Sequence, residues 1–528
     1  MNVLIDVNVI LDLLVAEREF QSTSVQALQK LNQNSAELFV ASSCLGNVIS
    51  TLTTYLGSED NAVSAFKDLI EKHQIHFLSV TGVDFSQIDN FTNFEEALMS
   101  SAAKRVDSNF TVLTQNTNFD NQELAIMTYQ EVTQREQNNQ QIRQIPLLNL
   151  SREYYQMMEK IDHALLSVVA SSKFIMGPEV VEFETECAEY IGTQHAIGTS
   201  SGTEALVLAL RSLAIQSKGE EFFEPADLII TTPFTFTATG DAILRAGATP
   251  LFVDVEANGF SLNVNQLIEL IKTEKIDPIR VVGILPVHLF GHPCNMTQIL
   301  DLSQQYKWFV LEDVAQAFGA KWQGQTLGSL GTIGAFSFFP TKNLGGFGDG
   351  GLVTTDDNEL AGLVRMLLRH GGKDKYNVDH IGYNARLDTL QAAALLVRLQ
   401  YVDQFNQKRR QIAEIYNQDF SANTSIITPQ CCNICYDVSH QYTICIKHGL
   451  RNQVQKKLRE SSIDSAIYYP LPLHQMKVFK DRSRCATQLS QAEKKCQEVL
   501  SLPINPLMTT AETDHVIKTT LLALQSYV

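Results

Sequence analysis

Lys342 lies in SFFPTKNLGGFGDGG, directly after an apolar run that reads as a strand and before a Gly-rich loop. That context puts its amine at a strand end with pliable backbone around it, where it can hold a carbonyl compound as a Schiff base. The plain alternative is a surface lysine in a loop. Asp313 closes the apolar run in WFVLEDVAQAFGA, a costly place for a carboxylate unless a cation pairs with it. Failing that, it would be the N-cap of a helix over VAQAF. In TSSGTEALVLALRSL a Ser/Gly/Thr turn opens a long apolar helix, so the amides of Gly202 and Thr203 and the helix dipole converge on a point suited to a phosphate. An ordinary Ser/Thr cap competes with that reading. Ser337, five residues before Lys342, can add a hydroxyl to the same cup. Phe236 in TTPFTFTAT is either a ring that lies flat on an aromatic ligand or a core phenylalanine. Pyridoxal phosphate requires a Schiff-base lysine, an acid for its pyridine nitrogen, a phosphate cup and a flat partner for its ring, and these residues supply a candidate for each. Gln316 is then placed to bond the cofactor 3′-oxygen.

These residues need a scaffold. Short β-rich runs (DLIITTP, TPLFVDV, RVVGILPVHLF, WFVLEDV, GAFSFF, GGLVTTD) alternate with helical ones. Near-continuous apolar strands are buried on both faces, so the alternation predicts an α/β fold with a mostly parallel sheet and helices on each side. Ligands of such sheets gather at the C-terminal strand ends. The tail, with QYTICIKH, NQVQKKLRESSI and a helical AEKKCQEVLSLP, reads as a smaller α+β unit. At 528 residues the chain exceeds one ordinary core, and the Gln/Asn-rich stretch QEVTQREQNNQQIRQ is composed like a linker. The expected organisation is residues 1–128, a linker over 129–144, a large cofactor-binding domain over 145–395 and a small C-terminal domain over 396–528.

Ten segments in order, among them KFIMGPEVVEFE, SSGTEALVLAL, FTFTAT, LEDVAQAFGA, FSFFPTKNLGGFGDGG and GYNARLDTLQAA, resemble the DegT-type sugar aminotransferases, pyridoxal-phosphate enzymes of fold type I. The resemblance runs from Ile145 nearly to the end. It implies Lys342 as the Schiff-base lysine, Asp313 as partner of the pyridinium, Gln316 beside the 3′-oxygen and Phe236 as the stacking ring. Gly202, Thr203 and Ser337 fall on phosphate-binding positions. Asn384 in GYNARLD falls where members reach across an interface to the partner's cofactor phosphate, which implies a homodimer with shared sites. The implied reaction moves an amino group from an amino-acid donor, L-glutamate in most members, to a nucleotide-linked keto-sugar. The GDGG form of the loop looks most like members acting on the 3-keto position of dTDP-6-deoxy sugars. In related sugar dehydratases histidine stands at the lysine position, so Lys342 favours transamination. Tyr468 stands where many relatives carry histidine, a departure that bears on which sugar is accepted.

The first 125 residues or so, with MNVLIDVNVILDLL and FEEALMSSAAKRVDSNFTVLTQNTNF, resemble the PIN domain, a small α/β nuclease fold. Members hold Mg²⁺ or Mn²⁺ with clustered carboxylates. Asp6 and Glu96 match two such positions, whereas Asn116 stands where many members carry an acid and Asn47 is nearest to a missing glutamate. A scaffold kept for packing or partner binding is the expectation, with an RNA-binding or RNA-cleaving protein as the alternative from another class. Cys431, Cys432, Cys435 and Cys445 with His440 and His448 do not repeat a paired CxxC pattern, which disfavours structural zinc. A net charge of −17 and a pI near 5.2 argue against a strongly basic nucleic-acid surface, and anionic substrates then need local arginine, lysine or helix N-termini. Nine scattered cysteines and a start without a basic or cleavable leader fit a cytoplasmic protein, and the first apolar run is too short and too charged to span a bilayer.

Overall fold

The computed structural model describes residues 144–372, 376–430 and 432–525, and in the N-terminal region residues 2–5, 7–14, 37–41, 48–49, 52–53, 58–73, 75–78, 111–113 and 125–127. The chain divides into two units, Met1–Ile142 and Arg143–Val528. In the first, β1 (Asn2–Ile5), β2 (Glu37–Ala41), β3 (His76–Leu78), β4 (Thr111–Leu113) and β5 (Ala125–Met127) form a wholly parallel sheet in the order β3-β2-β1-β4-β5. MNVLIDVNVILDLL folds as expected, into a strand and then the helix Val7–Leu14. Ile10 and Leu11 on that helix and Leu38 and Val40 on β2 are buried. Asp6, Asn47, Glu96 and Asn116 lie outside the described residues, so the proposed carboxylate cluster is left as an expectation.

In the second unit, β6 (His195–Thr199), β7 (Leu228–Thr231), β8 (Thr249–Phe252), β9 (Val281–Ile284) and β10 (Phe309–Asp313) belong to an eight-stranded sheet. A small hairpin, β11 (Lys321–Trp322) and β12 (Gln325–Thr326), separates them from β13 (Ile333–Ser337) and β14 (Gly351–Thr355). The order is β18-β8-β7-β9-β10-β13-β14-β6, where β18 (Arg484–Cys485) is an edge strand contributed by the tail. Pairing is parallel except at β14, which runs antiparallel to both β13 and β6. Strands with every residue buried, such as Leu228–Thr231 and Gly351–Thr355, are what a sheet covered on both faces requires. One apolar cluster contains Ile230, Val310 and Phe336 and the other Ile229, Leu311 and Ala335, so successive strand residues feed opposite layers.

The smaller C-terminal part has its own antiparallel sheet, β15 (Ile426–Ile427), β17 (Tyr442–Ile446) and β19 (Val499–Leu502), with β16 (Cys435–Tyr436) pairing β11 instead. Its core gathers Tyr416, Phe420 and Tyr442 at ring separations of 4.8 to 6.4 Å. Two expectations need correction. The helical reading of AEKKCQEVLSLP stops at Glu498, because the four buried residues Val499–Leu502 pair with β17; a short apolar run carries no period that separates helix from strand. VAQAF is a chain of turns, with Ala317 N–H bonding Val314 C=O and Ala320 N–H bonding Ala317 C=O, so Asp313 caps no helix.

Candidate active site

Asp313 ends β10 and is 4% exposed. Its peptide is fixed on both sides: its N–H donates to Pro286 C=O at 2.9 Å, and its C=O accepts from His288 N–H at 3.1 Å. The carboxylate accepts the Thr239 hydroxyl at 2.9 Å and the Ala315 amide at 3.2 Å. Burial pushes this carboxyl up, while the Thr239 and Ala315 donors and the Lys342 charge hold it down. Donors aimed at both oxygens favour the ionised form, which is the form that can pair with a ring cation.

Lys342 follows β13 in a turn closed by its own N–H on Phe339 C=O at 2.8 Å. Desolvation pushes its amine down to about 8, and Asp313 pulls the other way. That mutual influence is what brings the two sequence candidates into one site, 29 positions apart in the chain. Beneath them lies a pair that sequence reasoning missed. His288 and Glu312 are both fully buried, with His288 Nε2 3.2 Å from Glu312 Oε2. Cys294 N–H donates to His288 Nδ1 at 3.1 Å, which leaves the ring proton on Nε2 facing the carboxylate. Glu312 Oε1 accepts the amides of Leu330 and Gly331 at 2.9 and 2.7 Å, so one carboxylate ties β10 to the entry of β13.

The candidate phosphate cup lies between a strand end and a helix start. Ser201, extended after β6, caps the helix Gly202–Lys218 by accepting Glu204 N–H at 3.1 Å. The cap reading is therefore correct, and it coexists with the anion reading: the amides of Gly202 and Thr203 belong to the first turn, where no intrahelical acceptor exists. Gly202 is required by contact. A Cβ there would stand 2.6 Å from Ser337 Cβ, so only glycine lets this helix end approach the end of β13.

Phe236 precedes the helix Thr237–Arg245 and is 56% exposed, which excludes the core-phenylalanine reading. Its ring centroid stands 6.2 Å from that of Tyr469. Gln316 accepts Phe290 N–H at 2.8 Å and donates to the Tyr469 hydroxyl at 3.0 Å. Tyr469, next to the departure at Tyr468, thus contacts two of the candidate site residues, and sequence reasoning passed it over. Asn384 is exposed and accepts a hydrogen bond from Arg386. His440, weighed above for zinc, instead bonds Asn343 beside Lys342 at 2.9 Å. Burial and the Lys342 charge hold its ring well below its ordinary value, hence neutral. Cys445 is buried in β17, Cys432 and Cys435 form a disulfide, and Cys431 lies outside the described residues.

Residues 155–520 match the model of the DegT/DnrJ/EryC1/StrS aminotransferase family. The chain belongs to that family. It is 39% identical over 376 residues to a "pleiotropic regulatory protein" of Geobacillus stearothermophilus, spanning 71% of this chain and 97% of that one. It is 38% identical over 362 residues to the UDP-N-acetyl-3-dehydro-alpha-D-glucosamine 3-aminotransferase of Acidithiobacillus ferrooxidans, spanning 69% and 93%. Among solved structures it resembles NtdA of Bacillus subtilis with bound cofactor PMP, at 30% identity and a TM-score of 0.65, over 73% of this chain and 86% of that one. The resemblance read from the motifs is thereby borne out, as are the α/β fold with its mostly parallel sheet and the aminotransferase class. Among the described residues no helix is long and apolar enough to cross a membrane.

Proposed function

We propose that this DegT-family aminotransferase moves an amino group from L-glutamate to a nucleotide-linked keto-sugar at its 3-position, using pyridoxal phosphate held by Lys342. The observation that carries the reading is the electrostatic coupling of a part-buried lysine, its amine lowered, with the buried Asp313 carboxyl at a neighbouring strand end, together with a helix N-terminus that only a glycine permits. The residues fit the cofactor group by group. Gly202, Thr203 and Ser337 would hold the phosphate, Asp313 would hold a proton on the pyridine nitrogen, Phe236 offers an exposed ring face, and Gln316 would orient the 3′-oxygen. When bound, pyridoxal phosphate supplies the carbonyl that carries the amino group and the ring that accepts electrons from the substrate carbon.

The chain's own part is proton handling and orientation. Lys342 Nζ, with its amine down at about 8, takes the proton from the donor α-carbon and returns it on the other side of the transfer. A histidine there, as in the related dehydratases, could not form the covalent anchor that transamination releases and restores, which is why transamination is favoured over dehydration. The position on the sugar is supported by the Acidithiobacillus relative, named as a 3-aminotransferase, together with the GDGG loop. Asn384, exposed on its own chain, would complete the phosphate cup of a second copy, making the working form a homodimer with shared sites.

The test incubates the full-length protein with L-glutamate and a panel of UDP- and dTDP-linked 3-keto and 4-keto sugars. One 2-oxoglutarate should appear for each amino sugar formed, and only with the 3-keto set. Sugar consumed with loss of water and no 2-oxoglutarate would identify a dehydratase instead. Turnover unchanged in Lys342→Ala would remove the lysine from the chemistry.

A further inference from the structure

Arg211 is fully buried, nine residues into the Gly202–Lys218 helix, and the chemistry above does not use it. At 1.5 Å per residue it stands roughly 13 Å below the helix end that forms the phosphate cup, too far to touch a ligand there. Its guanidinium is shared between two segments of chain, Glu221–Phe222 and Ile381–Tyr383. Nε donates to Glu221 C=O, one terminal nitrogen donates to Glu221 Oε2 at 2.6 Å and to Ile381 C=O at 3.1 Å, and the other donates to the Tyr383 hydroxyl at 2.7 Å. Phe222 covers one face at 3.8 Å. Glu221 extends the grip by pairing its other oxygen with His380 Nδ1 at 2.7 Å. A buried arginine is costly unless nearly every N–H is satisfied; here two bonds go directly to Ile381 and Tyr383 and two to Glu221, which in turn holds His380, so both routes lead to the stretch directly before Asn384.

The same segment is fixed from its other side. His370 N–H donates to Tyr383 C=O at 3.0 Å, Tyr383 N–H to Leu367 C=O at 2.7 Å, and Ser200 N–H to Ala385 C=O at 2.9 Å. Gly371 and Gly382 press together so closely that a Cβ on Gly382 would stand 2.0 Å from Gly371 N. Yet this anchored stretch displays Ile381, 64% exposed. Rigid backbone carrying an exposed apolar side chain and an exposed amide is built to meet something outside this chain.

We propose that Arg211 is a positioning residue that acts on the neighbouring subunit's site: it fixes residues 380–384 so that Asn384 is presented to the phosphate-binding end of a second copy of this chain. The inference rests on the reading of Asn384 given above. Arginine is needed because only its planar fork reaches Glu221, Ile381 and Tyr383 at once.

Three variants test it: Arg211→Gln, Tyr383→Phe and, as control, Asn384→Ala. Titrating pyridoxal phosphate into each apoenzyme should show affinity weakened by tenfold or more in Arg211→Gln and by about 5-fold in Tyr383→Phe, the effect of one lost hydrogen bond. Each variant is then paired with Lys342→Ala in heterodimers isolated by two different tags. In such a pair the chain that keeps Lys342 receives its Asn384 from a partner whose Arg211 is intact. Recovery of activity per Lys342 site in both the Asn384 and the Arg211 pairs is the expected result. Recovery with Asn384→Ala but not with Arg211→Gln or Tyr383→Phe means that Arg211 serves its own chain; the proposal then fails while the shared-site reading stands. Recovery in none of the pairs removes the shared-site reading and the proposal together. If Arg211→Gln does not fold, Tyr383→Phe in the same pairing decides, and urea midpoints without cofactor separate lost stability from lost positioning.

Discussion

The depressed lysine can be read directly in the apoenzyme. With its amine near 8 instead of 10.5, about one Lys342 in eleven is uncharged at pH 7, against about one in three thousand for an ordinary lysine. The difference is a factor of roughly 300 in reactive amine. The rate at which apoenzyme captures pyridoxal phosphate, followed by its visible band in stopped flow, should therefore climb about tenfold from pH 7 and level off with a midpoint near 8. Dividing by the rate for a free lysine derivative removes the pH dependence of the aldehyde itself. Asp313→Asn sharpens the test because its sign is set in advance. The carboxylate is the group that raises the amine, so removing its charge should shift the midpoint to lower pH. A rate that still rises in proportion to hydroxide beyond pH 9.5 would refute the claim that Lys342 is desolvated. An upward shift in Asp313→Asn would show that the two residues do not face each other.

Thr239→Val leaves one oxygen of the buried Asp313 without its donor, which should cost about 1–3 kcal/mol in urea unfolding. It also lets the carboxyl climb, so the acid limb of the activity profile should move to higher pH. Gly202→Ala forces a Cβ to 2.6 Å from Ser337; the helix end must withdraw, and cofactor affinity by titration should fall tenfold or more, the loss of one or two charge-assisted hydrogen bonds. A chain beginning near Gln141 keeps the whole of the Arg143–Val528 unit and should aminate the same sugar at a comparable rate; an insoluble product would show that the first unit supports the second.

The parts of the site carried by contiguous patterns were legible. Apolar runs buried on both faces announced six strands of the large sheet, and a Ser-Gly-Thr turn before a long apolar run announced the capped helix start at Gly202. β6, His195–Thr199, was not foreseen, because five residues with a histidine first and a glycine fourth lack the look of a strand until β14 pairs with them. The same pairing reverses β14, a direction that no local pattern encodes. Residues joined only by folding escaped for a similar reason. Thr239 lies 74 positions from Asp313 and Tyr469 lies 153 from Gln316, and neither threonine nor tyrosine looks unusual in its own segment. Asp313 is buried at its strand end as its segment suggests, but the alternative of a helix cap does not hold. Its Oδ1 does bond an amide two residues on, as a cap would, but VAQAF continues as turns, because its amides reach back only three residues.

On the function proposed above, a chain with net charge −17 that is to hold a phosphate and accept a nucleotide sugar would work against its own long-range field. At physiological salt that field decays over about 8 Å, whereas amides at a helix start act at hydrogen-bond distance and carry fixed partial charge that needs no cation. The geometry follows that division. In the proposed cup, Gly202, Thr203 and Ser337 would contribute amides and hydroxyls and no charged side chain. Burial moves Lys342 toward neutrality, as its proposed roles of nucleophile and base require. Arg211, on the same helix, is fully buried and bound to Glu221, Ile381 and Tyr383, so it cannot serve as the cup's counter-ion. An anion bound mainly by backbone depends on where the backbone is, to within tenths of an ångström. On the proposed reading, the contact of Gly202 with Ser337 and the hydrogen bonds that hold Asp313 by its peptide are therefore as much a part of the chemistry as Lys342 itself.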